Sequence, residues 1–138
     1  MISKILFVDD DPLMHLLYKP HVERAGYEWV GASGGKEAID LAACQKPRLA
    51  VIDIVMPDMD GLSTVAELKK AEATKALPVI VITGELGYYG RRQEFAEAGA
   101  AAFMTKPFGP KQLLETIGRL LPSAAKCTEP SPQSIEKI

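Results

Sequence analysis

The stretch that decides the fold is "ILFVDDDP", residues 5–12, in which an apolar run meets three consecutive aspartates. An apolar run without polar alternation predicts a strand that is covered on both faces, as in a parallel sheet. The neighbouring carboxylates of Asp9, Asp10 and Asp11 repel one another by roughly 1 kcal/mol in water, and by more when partly desolvated. A favourable interaction must offset this repulsion, and a bound cation, a helix N-terminus and plain solvation are the three candidates.

The rest of the chain alternates between short apolar runs and helical stretches. Strands are predicted at 4–8, 27–32, 49–54, 78–83 and 101–105, and helices at 12–25, 35–45, 62–73, 89–98 and 110–121. Repeated strand–helix units predict an α/β fold, a doubly wound five-stranded parallel sheet with right-handed crossovers. The mixed run 27–32 predicts an edge strand, and Pro20 predicts a kink in the first helix.

Composition and charge restrict the class of protein. The 138 residues fit one domain with a hydrophobic core, and the net charge of -2 disfavours non-specific binding to nucleic acid. No apolar run resembles a signal peptide or a membrane span, so no membrane association is expected. Cys44 and Cys127 lack metal-ligand spacing, and Cys44 is expected to be buried. No disulfide framework is expected from two such cysteines, which favours a reducing, cytoplasmic location. Residues 122–138 are rich in Pro and Ser and predict a flexible tail or a linker stub.

The chemistry is expected at one edge of the predicted sheet. In open α/β sheets, ligands bind beyond the carboxyl ends of the strands. The residues at these ends are Asp9, Asp10, Asp11, Asp53, Thr83, Gly84 and Lys106. Clustered carboxylates form a hard oxygen site that suits Mg²⁺. Asp11 precedes Pro12, a pair typical of a helix start, so two acids are expected to face the metal while Asp11 caps the helix.

This ordered set resembles the response-regulator receiver domain, the CheY-like module of two-component phosphorelay signalling. The matching features are Asp9-Asp10, Asp53 before "MPDMDG", Thr83 followed by the small Gly84, and "KPF" at 106–108. The resemblance implies a flavodoxin-like sheet with strand order 2-1-3-4-5. It also implies a receiver domain over residues 1–121, with 122–138 as the tail.

The resemblance implies a role for each site residue. Asp53 is implied to be phosphorylated by a sensor histidine kinase or a phosphotransfer protein. Mg²⁺ is implied to bind Asp10, Asp53 and the backbone carbonyl of Val55, while Asp9 assists mainly through metal-bound water. Lys106 is implied to pair with the phosphoryl oxygens and Thr83 to move toward them. Such a domain is not an enzyme in the usual sense, because it catalyses only its own phosphorylation and dephosphorylation.

The resemblance also implies a switch. When Thr83 moves toward the phosphoryl group, an aromatic side chain on the fifth strand turns inward, and Phe103 stands at that position. Many family members have Tyr there, and Phe lacks the hydroxyl, so a hydrogen-bonded form of the switch is not expected. The signal is implied to leave through the fourth helix, the fifth strand and the fifth helix, toward an unidentified output partner or effector domain.

Two other functions remain open from the sequence. A haloacid-dehalogenase-like phosphohydrolase would use Asp9 as its nucleophile and Asp11 two positions later, although Pro12 replaces the usual Gly. A pseudo-receiver would be a binding module that no longer accepts phosphate. The identity of the phosphorylated aspartate distinguishes these functions: Asp9 in the phosphohydrolase, Asp53 in the receiver, and none in the pseudo-receiver.

Overall fold

The computed structural model describes residues 3–54, 61–83, 92–105 and 108–121. Strands and helices alternate along these residues. The strands are β1 (Lys4–Val8), β2 (Glu28–Ala32), β3 (Leu49–Asp53), β4 (Val79–Thr83) and β5 (Ala102–Thr105). The helices are α1 (Pro12–Arg24), α2 (Gly35–Gln45), α3 (Gly61–Lys70), α4 (Arg92–Ala98) and α5 (Pro110–Leu120). Val55, Gly84, Lys106 and the proposed tail 122–138 lie outside the described residues.

The strands form one parallel sheet in the order β2-β1-β3-β4-β5, as predicted. Val8 at the end of β1 lies opposite Ala32 of β2 and Ile52 of β3. The register therefore brings the carboxyl ends of the three strands to the same edge. The mixed strand β2 lies at an edge of the sheet, which confirms the interpretation of its composition.

The core has two layers because successive side chains of a strand point to opposite faces of the sheet. On one face, Leu6 and Val8 pack in a cluster with residues of α2, α3 and α4. On the other face, Ile5 and Phe7 pack with residues of α1 and α5. All four of these β1 side chains are almost fully buried. The uninterrupted apolar run in β1 is thus explained by helices on both sides.

The helix α3 ends at Lys70, three residues before the predicted end at 73. The hydroxyl of Thr74 donates a 2.6 Å hydrogen bond to the Leu68 carbonyl. The Lys69 ammonium donates a 2.6 Å bond to the Leu77 carbonyl. The Thr74 hydroxyl therefore satisfies a carbonyl of the last helical turn from outside the helix, and the Lys69 side chain fixes the segment that follows α3. In contrast, α1 continues through Pro20 to Arg24.

The expectation that Cys44 is buried was wrong. The helix α2 buries Gly35, Ala38 and Ala42, which lie along one side of the helix. Cys44 follows Ala42 by two positions, so it lies on the opposite side and is exposed. Separately, among the described helices there is none with the length and apolar character needed to cross a membrane.

A pair of glycine substitutions tests this packing. A Cβ atom on Gly61 would lie 2.4 Å from the Ile54 Cα atom, whereas a Cβ atom on Gly118 would meet nothing within 4 Å. Gly61→Ala should lower the free energy of unfolding by about 2 kcal/mol through overpacking. Gly118→Ala, inside α5, should raise it by about 0.5 kcal/mol because alanine loses less backbone entropy. Urea denaturation checks both, and equal effects would contradict the close approach of Gly61 to β3.

Candidate functional site

Three carboxylates meet at the edge formed by the ends of β1 and β3. Asp9, Asp10 and Asp53 each place one carboxylate oxygen within 4.8 Å of the others. Asp9 is 1% exposed and Asp53 is 5% exposed, whereas Asp10 lies on the surface. The clustering arises because β1 and β3 are neighbours in register, β3 ends in Asp53, and Asp9 and Asp10 directly follow β1. It confirms that these three predicted residues come together.

The backbone around Asp9 is fixed from two sides. Its N–H donates a 3.1 Å hydrogen bond to the Ala32 carbonyl at the end of β2. Its Oδ1 atom accepts a 2.9 Å bond from the N–H of Asp11. The first bond extends the β1–β2 ladder by one residue, and the second closes the turn into α1. Asp9 is thereby held in the sheet while the chain turns away.

Asp11 has a different role from the other two acids of the triplet. Its Oδ1 atom accepts a 3.0 Å hydrogen bond from the N–H of Leu13, and its backbone is extended. This is the geometry of an N-cap residue, and Pro12 occupies the first position of the helix, where its missing N–H is harmless. The structure confirms the predicted division between two clustered acids and one helix cap.

The donor set fits a hard divalent cation. Carboxylate oxygens are the ligands that such ions prefer, and an octahedral ion with bonds of about 2.1 Å holds its ligand atoms about 3 to 4 Å apart. Oxygens that lie within 4.8 Å of one another meet this requirement with small adjustments or through water. A cation would also neutralise charges that otherwise repel across a poorly solvated site.

The other predicted site residues are located less completely. Thr83 ends β4, where its backbone lies opposite Thr105 of β5. Phe103 is half-buried on β5, and its ring contacts Phe95 of α4 edge-on at 5.7 Å and 85°. Val55 and Lys106 lie outside the described residues, so their predicted roles stay predictions.

Two residues near the site give no signal in the sequence. The Nε2 atom of His15 lies 2.9 Å from the carbonyl oxygen of Asp9. The hydroxyl of Tyr18 donates a 2.6 Å hydrogen bond to the carbonyl of Phe108. These contacts join α1 to the backbone directly after β1 and shortly before α5. The sequence shows only that His15 and Tyr18 are three positions apart, a spacing that places two side chains on the same face of a helix.

The fold and the acidic cluster define a receiver domain, and comparison with known proteins agrees. The family model for the response regulator receiver domain matches residues 5–118. The chain therefore belongs to the response regulator receiver domain family.

Individual relatives share this fold. The chain is 31% identical over 119 residues to the chemotaxis protein CheY of Thermotoga maritima, covering 86% of this chain and 97% of CheY. It is 36% identical over 119 residues to the probable transcriptional regulator ycf27 of Cyanophora paradoxa, covering 86% of this chain but 48% of that protein.

A solved structure of a receiver domain is also similar to this chain. The receiver domain of the sensor histidine kinase PA1611 from Pseudomonas aeruginosa PAO1, solved with a magnesium ion in its active-site cleft, has a TM-score of 0.80 and 25% identity. The match covers 89% of this chain and 100% of that domain.

Thermal melts with and without MgCl₂ test the division of labour among the acids. Mg²⁺ should raise the melting temperature of the wild type, because a ligand that binds only the folded state stabilises it. Asp10→Ala should lose most of this rise. Asp11→Ala should keep the rise but be less stable by about 1 kcal/mol, through loss of the cap. An equal loss of the Mg²⁺ response in both variants would contradict the assignment.

Proposed function

We propose that this receiver domain accepts a phosphoryl group on Asp53 from a phosphohistidine of a sensor histidine kinase or phosphotransfer protein. An Asp53 carboxylate oxygen forms a bond to phosphorus while the bond from phosphorus to the donor's histidine nitrogen breaks, and an acyl phosphate results. The observation that carries the proposal is the position of Asp53, at the end of a central buried strand and within 4.8 Å of two further carboxylates.

Mg²⁺ is the proposed cofactor. Asp10, Asp53 and the Val55 carbonyl would hold it, with Asp9 acting mainly through water. When bound, the ion neutralises negative charge on the phosphoryl oxygens, which is the main requirement of phosphoryl transfer. The oxygen donors of the cluster support this choice, as does the magnesium ion in the cleft of the PA1611 domain.

Lys106 and Thr83 complete the proposed site. The Lys106 ammonium pairs with the phosphoryl oxygens, and the Thr83 hydroxyl donates a hydrogen bond to them after transfer. The strand register supports this assignment: Thr83 lies opposite Thr105, so Lys106 directly follows the backbone partner of Thr83. Thr83 and Thr105 therefore end neighbouring strands at the edge that carries Asp53, and Lys106 follows Thr105 in the sequence.

Phe103 is the proposed aromatic switch on the face formed by α4, β5 and α5. A groove of about 580 Å³ lies beside its ring, lined by Gln93, Ala96, Glu97 and residues 100–103. The half-buried ring borders this groove, so other side chains do not enclose it on every side. Amide chemical shifts on addition of beryllofluoride should change from the site through residues 92–108. Changes confined to the neighbourhood of Asp9 and Asp53 would overturn this proposed switch.

The proposal extends to the domain boundaries, the cellular location and the output of the receiver. We assign residues 1–121 to the receiver and 122–138 to a tail or linker, and we place the chain in the cytoplasm. The receiver acts on a separate partner or on an effector domain. The ycf27 relative, of which this chain covers about half, supports the second arrangement, whereas the CheY relative, almost fully covered, supports the first.

Incubation with acetyl phosphate and MgCl₂, followed by intact-protein mass spectrometry, tests the proposed acceptor. The wild type should gain one phosphoryl mass, and Asp53→Asn should gain none because the amide cannot form the acyl phosphate. The matched control Asp40→Asn changes an exposed acid on α2 and should be labelled like the wild type.

The same experiment decides among the alternative functions. Labelling that survives Asp53→Asn and disappears in Asp9→Asn would support the phosphohydrolase and contradict the receiver mechanism. A wild type that gains no phosphoryl mass from acetyl phosphate or from a phosphorylated kinase would instead support the pseudo-receiver.

A further inference from the structure

Two side chains on one face of α1 form hydrogen bonds to backbone carbonyls in two distant parts of the chain. His15 lies 2.9 Å from the Asp9 carbonyl oxygen, and Tyr18 donates a 2.6 Å bond to the Phe108 carbonyl. A carbonyl oxygen only accepts hydrogen bonds, so Nε2 of His15 carries the proton in the first contact. The helix α1 therefore links the segment after β1 to the segment after β5 through two hydrogen bonds.

These side chains are held in place by an aromatic cluster. The buried ring of Phe7 lies 5.5 Å from the His15 ring and 5.9 Å from the Tyr18 ring. Trp29 stacks on Phe7 at 4.7 Å, and Phe108 stacks on Tyr18 at 4.9 Å. Tyr18 is buried and His15 is half-buried among these rings, so rotation of either side chain would break ring contacts.

The edge strand β2 also makes room for the imidazole ring. A Cβ atom on Gly31 would lie 3.0 Å from Nδ1 of His15 and 3.0 Å from Nε1 of Trp29. Such distances are too short for a relaxed contact, so one of the two rings would have to shift. The glycine at this position therefore permits the observed position of His15.

The two carbonyls belong to residues next to, or near in sequence to, predicted site residues. The Asp9 carbonyl belongs to the peptide group that joins Asp9 to Asp10, so a bond to it fixes the orientation of that peptide between the two acids. The Phe108 carbonyl comes two residues after Lys106. The first bond thus fixes backbone within the acidic cluster, and the second fixes backbone two positions along the sequence from Lys106.

We propose that His15 and Tyr18 are positioning residues: His15 holds the peptide between Asp9 and Asp10 for the metal, and Tyr18 holds the Phe108 carbonyl, two positions along the sequence from Lys106, for phosphoryl transfer. The proposal rests on the proposed function, since it concerns the same site. It predicts a separation of effects. Loss of the His15 bond should weaken the affinity for Mg²⁺, whereas loss of the Tyr18 bond should slow phosphoryl transfer at saturating Mg²⁺.

The first arm measures Mg²⁺ affinity without phosphodonor, from the rise in melting temperature as Mg²⁺ is titrated, and then the phosphorylation rate with acetyl phosphate over the same Mg²⁺ range. His15→Asn places its amide at the position of Nδ1 and lacks a donor toward Asp9, and should raise the half-saturating Mg²⁺ concentration about fivefold. His15→Gln places an amide nitrogen where Nε2 lies and should restore a value near the wild type.

The second arm uses Tyr18→Phe, which removes only the hydroxyl and keeps the ring stack. The maximal rate should fall about fivefold, with little change in the half-saturating Mg²⁺ concentration. The matched control Tyr27→Phe removes a hydroxyl from a half-buried tyrosine packed against the same core cluster, and should change neither quantity.

The outcomes separate this proposal from the proposed function. Equal half-saturating Mg²⁺ concentrations in His15→Asn and the wild type would overturn the role of His15, as would a Gln variant as impaired as the Asn variant. An unchanged maximal rate in Tyr18→Phe would overturn the role of Tyr18. Melting curves of each variant without Mg²⁺ confirm that folded protein is compared. A wild type that is never phosphorylated would refute the proposed function itself.

Discussion

The mutual repulsion of three carboxylates is the constraint around which the site is built. Asp9, Asp10 and Asp53 lie closer together than free acids in solution would remain, and two of them are almost fully buried. The core overcomes this repulsion: burial of one large apolar side chain contributes about 1.5 to 3 kcal/mol, and β1 and β3 each bury several. The fold thus holds together three carboxylates whose oxygens could bind a cation.

The first helix is the second organising element. It begins at the acidic triplet, where the carboxylate of Asp11 caps it, and it carries His15 and Tyr18 on the face that packs against β1. The same helix therefore starts at one strand end and contacts the segment after another. Two side chains of α1 thus contact the backbone at the acidic pair and the backbone at Phe108.

The fold and the place of the acidic cluster could be predicted from the sequence because they follow from local patterns. The apolar run of β1 required cover on both faces, Asp11-Pro12 marked a helix start, and parallel strands had to bring their terminal acids to one edge. The early end of α3 was not predictable, since the hydroxyl of Thr74 reaches back to Leu68 only in the folded turn. His15 and Tyr18 were also hidden, because hydrogen bonds to distant carbonyls leave no periodic pattern in the sequence.

A double-mutant cycle between Asp10 and Asp53 tests most directly whether these acids form one electrostatic unit completed by a cation. The free energy of unfolding would be measured for the wild type, Asp10→Asn, Asp53→Asn and the double variant, with EDTA and again with saturating MgCl₂. Separate contacts of each side chain cancel in the cycle. With EDTA, the double variant should gain about 1 kcal/mol less stability than the sum of the single changes. With Mg²⁺ the coupling should reverse in sign, because either single change already removes the ion's site. Additive effects in both conditions would contradict the account.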